Sequence, residues 1–165
     1  MPAPHSGNTV CIEAKKEDHL IMIEQDTVKL LRECDSGTKM GMDSLRDVQD
    51  RARNKDLQTL LQSSRVEHER LAREIEGQLN RFRDEGKQPS AMAEGMSWIK
   101  THVELLMDGS DEKIADLMTD GCNMGVKSLS RYLNQYAAAD ETSKDLAKQL
   151  IGMEDRLSRD LRAYL

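Results

Sequence analysis

His68 is the first residue in this chain whose type and position suggest chemistry. It falls on an apolar stripe, Leu57, Leu61, Ser64, His68, Leu71, Ile75 and Phe82, spaced mostly in steps of three and four, so the imidazole should face a helical core. A buried imidazole can ligate a metal, exchange a proton or hydrogen-bond a neighbour such as Ser64. Ligation from one helix face needs a second donor three or four positions away, because those side chains share a face. Three positions before His68 stands Arg65, not a carboxylate. The carboxylates that could join it are Glu67, its neighbour in sequence, and Glu154, far along the chain. One imidazole and one or two carboxylates make a weak mononuclear site at most. A histidine satisfied by a local hydrogen bond is the expected arrangement, with no resident metal or other cofactor.

The remaining reactive groups are more ordinary. Cys11, Cys34 and Cys122 are odd in number and lack metal-ligand spacing, which fits a reduced, cytoplasmic chain. Cys34 and Cys122 fall on helix positions where packing is the default role. His102 and Glu104 read as a solvated helix face, as does the charged run "ERLAREIEGQLNRFRDEGK". No glycine-rich phosphate loop, nucleophile elbow or triad order is present, and the sequence gives no reason to expect an enzyme.

These residues need elements to position them, and the composition points to helices. Of the 165 residues, 38% are hydrophobic, 33% charged and 3% aromatic, a balance suited to amphipathic helices with aliphatic cores. The net charge of -6 comes without a Lys/Arg block, which argues against a nucleic-acid backbone as partner. No apolar run approaches the roughly 20 residues of a membrane span. Residues 1–17 read as a flexible tail lacking the features of a signal peptide, and residues 18–165 as one helical domain. A first helix is expected over about 18–53, with Leu30, Cys34, Gly37, Gly41, Leu45 and Val48 inward. Asn54 should cap a second helix that Gly86 and Pro89 stop. A short helix through Met92, Met96, Ile99, Val103 and Leu106 follows. Ser110 should open a third long helix with Ile114, Met118, Gly121, Gly125, Ser128 and Tyr132 inward. The fourth carries Leu146, Leu150, Met153, Leu157 and Leu161.

Two stretches in this pattern match each other. "GTKMGMDSL" and "GCNMGVKSL" align Gly37 with Gly121, Met40 with Met124, Gly41 with Gly125 and Leu45 with Leu129. The helices after them also align, "NKDLQTLL" with "SKDLAKQL", so the chain reads as two helical hairpins from a duplication. In that register Arg65 pairs with Glu154 and His68 with Leu157. A segment long enough for a helix of about 15 residues, some 22 Å, separates the hairpins and can return the chain along a bundle. The first helices of the hairpins should then touch, with the four glycines facing one another as helix-packing residues. The other expectation is that they leave room for bulky neighbours such as Met40 and Met124.

From about residue 24 onward the chain resembles small bacterial proteins of the ferritin-like superfamily, of a kind common in Clostridia-type bacteria. "TKMGMDSL", "MSWIKTHVELLMDGSDEKIADLM", "GCNMGVKSL" and "LIGMEDRLSRDLRAYL" carry the resemblance. It implies an all-α, antiparallel four-helix bundle with a crossover helix, and no established activity. Two-metal ferritin-like sites use a Glu from each of two helices and a Glu-x-x-His pair from each of the others; this chain keeps His68 and Glu154 of that set. The expected function is therefore that of a non-catalytic bundle with a structural or interaction role, binding a protein partner or a second copy of itself. The alternative is a metal-binding or oxidative-stress protein with a reduced site near His68.

Overall fold

The computed structural model describes residues 7–84, 101, 102, 104, 106 and 109–165. Among these residues the chain is all-helical: α1 spans Gly7–Gln49, α2 Lys55–Arg81, α3 Asp111–Gln135 and α4 Glu141–Leu161, and a 3-10 turn, Arg162–Tyr164, closes it. Of the expected crossover helix, Met92, Met96, Trp98, Ile99 and Val103 lie outside the described residues. Thr101, His102 and Glu104 are helical, and Leu106 is buried. No helix among the described residues is long and apolar enough to cross a membrane.

Helix boundaries follow local chemistry, with two departures from expectation. The helix α1 starts at Gly7, not near residue 18. Proline and glycine are confined to the first seven residues of that stretch, and Glu, Ala and Lys beyond them favour helix. Residues 11–20 are nevertheless exposed throughout, so this part of α1 contributes no side chain to the core. The helix α2 ends at Arg81, before Gly86 and Pro89, which lie outside the described residues. Arg83, at φ 53, takes the left-handed position usually given to glycine. Its N–H donates to the Asn80 carbonyl at 3.0 Å, and the Asp84 N–H to the Leu79 carbonyl at 3.2 Å, the double bond of a Schellman cap. Arg32 holds Asp84 from α1 through a two-point ion pair, which offsets the roughly 1–2 kcal/mol cost of a left-handed non-glycine residue. The N-termini obey side-chain capping. Asn54 Oδ1 accepts from the amides of Asp56 and Leu57 at 2.8 and 3.2 Å. Ser110 Oγ accepts from Lys113 N at 3.3 Å, and Asp140 Oδ1 from Ser143 N at 2.8 Å.

Two apolar clusters reveal the topology. One joins the end of α1 (Leu45, Val48), the start of α2 (Leu57, Leu61), the start of α3 (Ile114, Met118) and the end of α4 (Leu157, Leu161). The other joins the middle of α1 (Leu30, Leu31, Cys34), the end of α2 (Ile75, Leu79), Leu129 near the end of α3 and the start of α4 (Leu146, Leu150). The helices α1 and α4 thus run one way and α2 and α3 the other, and residues 85–108 connect opposite ends of the bundle. The closest pairs are α1 with α2 and α3 with α4, while α2 also packs on α4 and α1 on α3. The buried face of α3 is turned from the expected stripe toward Ala115, Cys122 and Leu129, the side that lets it cover its hairpin partner α4.

Each hairpin turn is tied down by the first helix of the other hairpin. Asp111 of α3 accepts from Arg53 N at 2.7 Å and Asn54 N at 3.0 Å. In α1, Asp26 accepts from Ala138 N at 3.1 Å and the buried Thr27 hydroxyl from Asp140 N at 2.8 Å. Asn54 and Asp140 are the N-caps of α2 and α4, and the residues that take their amides, Asp111 and Thr27, stand at the same separation as Gly121 and Gly37. Asp111→Ala strips two backbone amides of their acceptor and should lower the unfolding free energy by about 1–2 kcal/mol. A urea midpoint that does not move would show that these ties do not hold the turn.

Candidate functional site

Between the two apolar clusters lies a polar layer built around His68. The stripe that predicts its burial holds, and the side chain is 1% exposed. Its Nδ1 lies 2.8 Å from the Ser64 carbonyl oxygen and its Nε2 2.9 Å from Glu154 Oε1 on α4. A carbonyl can only accept, so Nδ1 carries a hydrogen. Nε2 is thereby left to the Glu154 carboxyl group, and a hydrogen bond there stabilises the protonated imidazole. Burial lowers the His68 pKa, but the hydrogen bond and charge of Glu154, the Ser64 carbonyl and the charge of Glu67 outweigh it, and the net shift is upward. Ser64 serves through its backbone; its buried hydroxyl has no hydrogen-bond partner among the described residues.

The glycines belong to this layer. A Cβ on Gly41 would lie 2.5 Å from His68 Nε2 and 2.6 Å from Cδ2, and one on Gly125 would lie 3.7 Å from Cγ and Cδ of Glu154. Gly37 faces Leu150 at 3.6 Å, and Gly121 meets nothing within 4 Å. The four therefore do not face one another across α1 and α3. The space their missing side chains leave is filled, where it is filled, from α2 and α4. Room for a bulky neighbour is the operative reason at Gly41, and the neighbour is the imidazole, not Met40 or the exposed Met124.

The other candidates stand apart. Glu67, 48% exposed, accepts from Arg156 at 3.3 Å, and Arg65 leans toward Glu69 at 3.9 Å. His102 is half-buried and Glu104 exposed. Burial, with Glu33 and Asp35 adding to it, pushes the Cys34 thiol up to about 12. Burial, then the charge and hydrogen bonding of Glu154, pushes Cys122 up further. Neither is a thiolate at neutral pH, and neither is activated as a nucleophile.

The donor set does not fit a two-metal centre. His68 and Glu154 are committed to each other, and the positions facing them from α1 and α3 are Gly41 and Gly125, not carboxylates. Among the described residues no group of three or more His, Cys, Asp or Glu side chains converges in a way that could hold an ion. His68 and Glu154 stand at the same separation as the caps Asn54 and Asp140, whereas the KDL stretches align His68 with Leu157. Among the described residues, fold and site together define a bundle of four long helices with a buried polar centre. Compared with known proteins, the chain matches no family model, no curated protein and no solved structure.

Sequence reasoning missed Asp26, Thr27 and Asp111 as cross-hairpin acceptors, since no local spacing marks a residue that bonds a distant turn. Two predictions follow from the polar layer. Gly41→Ala should destabilise by about 1–3 kcal/mol despite a helix-propensity gain of about 1 kcal/mol, because a ring pinned at both nitrogens cannot move aside and keep its bonds. Gly121→Ala should raise stability by up to about 1 kcal/mol; thermal melts of the two variants, moving in opposite directions, check this. The second concerns pH. With the folded His68 value above the unfolded value of about 6.5, the pair contributes fully below that pH and loses its contribution as pH rises through the raised value. Urea unfolding across that window should show a decline that His68→Gln flattens.

Proposed function

We propose that this chain is a non-catalytic bundle of the ferritin-like type, with a structural or protein-interaction role, built from two duplicated hairpins. The observation that carries the reading is the mutual commitment of His68 and Glu154: the two side chains best placed to bind an ion hydrogen-bond each other in a layer whose other positions are glycine. The topology supports the ferritin-like assignment, since one long connection between parallel helices of two antiparallel hairpins is the connectivity of that fold. The matched caps, with Asp111 and Thr27 taking the amides of Asn54 and Asp140, support the duplication. A cytoplasmic location fits the unpaired cysteines, and the partner is a protein or a second copy of the chain.

The alternative, a metal-binding or oxidative-stress protein with a reduced site, draws on one observation. Cys122 stands beside Glu154, so three ligand types share the layer. Elemental analysis of protein purified without a tag separates the readings. The expected result is iron and manganese well below stoichiometry, with His68→Ala lowering the melting temperature and leaving metal content unchanged. One or two ions per chain, lost in His68→Ala, would establish the alternative.

A further inference from the structure

The helix α1 outruns the bundle. Asp26 and Thr27 take the amides of the α3–α4 turn, which sets the end of the bundle at their level. Residues 7–25 continue past it as an arm of about 28 Å. Ile12, Leu20, Ile21 and Met22, most of the large apolar side chains exposed among the described residues, lie on this arm. The inward stripe of α1 also continues along it. From the buried Leu30 and Thr27 it passes to Ile23, Leu20, Lys16 and Ile12 in steps of three and four, the seam spacing of paired helices. Yet Ile12 is 51% and Leu20 64% exposed, so the seam has no partner among the described residues.

Charge and length both point to a second copy of the arm. Lys16 stands on the seam, with Glu13 and Glu17 along one edge of it, and among the described residues none of the three is in an ion pair. An antiparallel copy, related by a dyad between Lys16 and Glu17, sets each Lys16 against Glu17 of the other helix. The same dyad sets each Ile12 between Leu20 and Ile23 of the other. Length gives this dyad independently: two arms that overlap fully, each tip at the other's bundle end, cross at the midpoint of residues 7–25, which is Lys16. A parallel copy does not fit. The seam points to the side of α1 on which its own bundle lies, so parallel pairing would drive one bundle into the other. We propose that the α1 arm is a dimerisation surface, pairing antiparallel with the arm of a second copy of this chain. The Lys16 stem lies along the seam and its ammonium reaches the Glu17 carboxylate of the copy. The dimer deepens the interaction role proposed above and rests on it, whereas metal content decides that role separately.

Light scattering of the full chain after gel filtration tests the proposal. Between about 1 and 100 μM the mass should rise from one chain toward two. Leu20→Asp and Lys16→Glu should each hold the chain monomeric at the top of that range. Their melting temperatures at about 1 μM should match that of the parent, because neither side chain enters the core. Lys16→Glu/Glu17→Lys, which exchanges the two charges, should restore the dimer that Lys16→Glu removes. Metal content of the same samples should not follow association. A parent that stays monomeric at about 100 μM, whatever other protein the arm captures, would overturn the proposal. So would undiminished association of Leu20→Asp, or a charge exchange that restores nothing.

Discussion

A 2.9 Å hydrogen bond between His68 Nε2 and the Glu154 carboxyl group lies near the middle of a core that is apolar above and below it. Burying either group alone would leave a charge or a polar atom unpaired, at a cost of several kcal/mol. Burying both at 2.9 Å satisfies them, and that condition governs the layer. The register of α2 on α4 must bring two particular residues together, since a slip of one turn would strand both. The helix α1 must carry no side chain where the imidazole passes, hence Gly41, whereas a Cβ at Gly125 on α3 would make only ordinary contact with the Glu154 side chain. Buried pairs of this kind specify an arrangement more than they stabilise it.

The ends of the bundle meet a related constraint by other means. A turn between antiparallel helices exposes backbone amides that helical hydrogen bonds do not reach. Here each hairpin's first helix supplies the missing acceptor to the other hairpin, Asp111 at one end and Asp26 with Thr27 at the other. The hairpins are thereby joined at both ends by hydrogen bonds as well as by the apolar clusters.

Much of this was legible in the sequence, because burial in a long amphipathic helix follows its period. The stripes placed Leu57, Leu61, Ser64, His68, Leu71 and Ile75 inward, as found. Asn54 and Ser110 announced their helices through side-chain chemistry that acts within one turn. What escaped depends on distant neighbours. Nothing local tells whether a helical glycine makes room for another backbone or for an imidazole, so Gly41 could be flagged but not explained. The end of α2 rests on Arg83 in a left-handed conformation held by Arg32 across the bundle, whereas the local breakers Gly86 and Pro89 pointed further on. The KDL stretches match in sequence, yet the residues before them differ in structure: Asn54 caps its helix, and Ser143 lies inside the first turn that Asp140 caps.

The central claim is that His68 and Glu154 act as one unit. A double-mutant cycle with His68→Leu and Glu154→Leu, followed by urea unfolding, tests it most directly. Each single change leaves a buried partner uncompensated and should cost about 3–5 kcal/mol, while the double variant, apolar on both sides, should recover most of that loss. A double variant as unstable as the sum of the two singles would contradict the account, because it would mean that the two side chains contribute separately and that no hydrogen bond between them organises the layer.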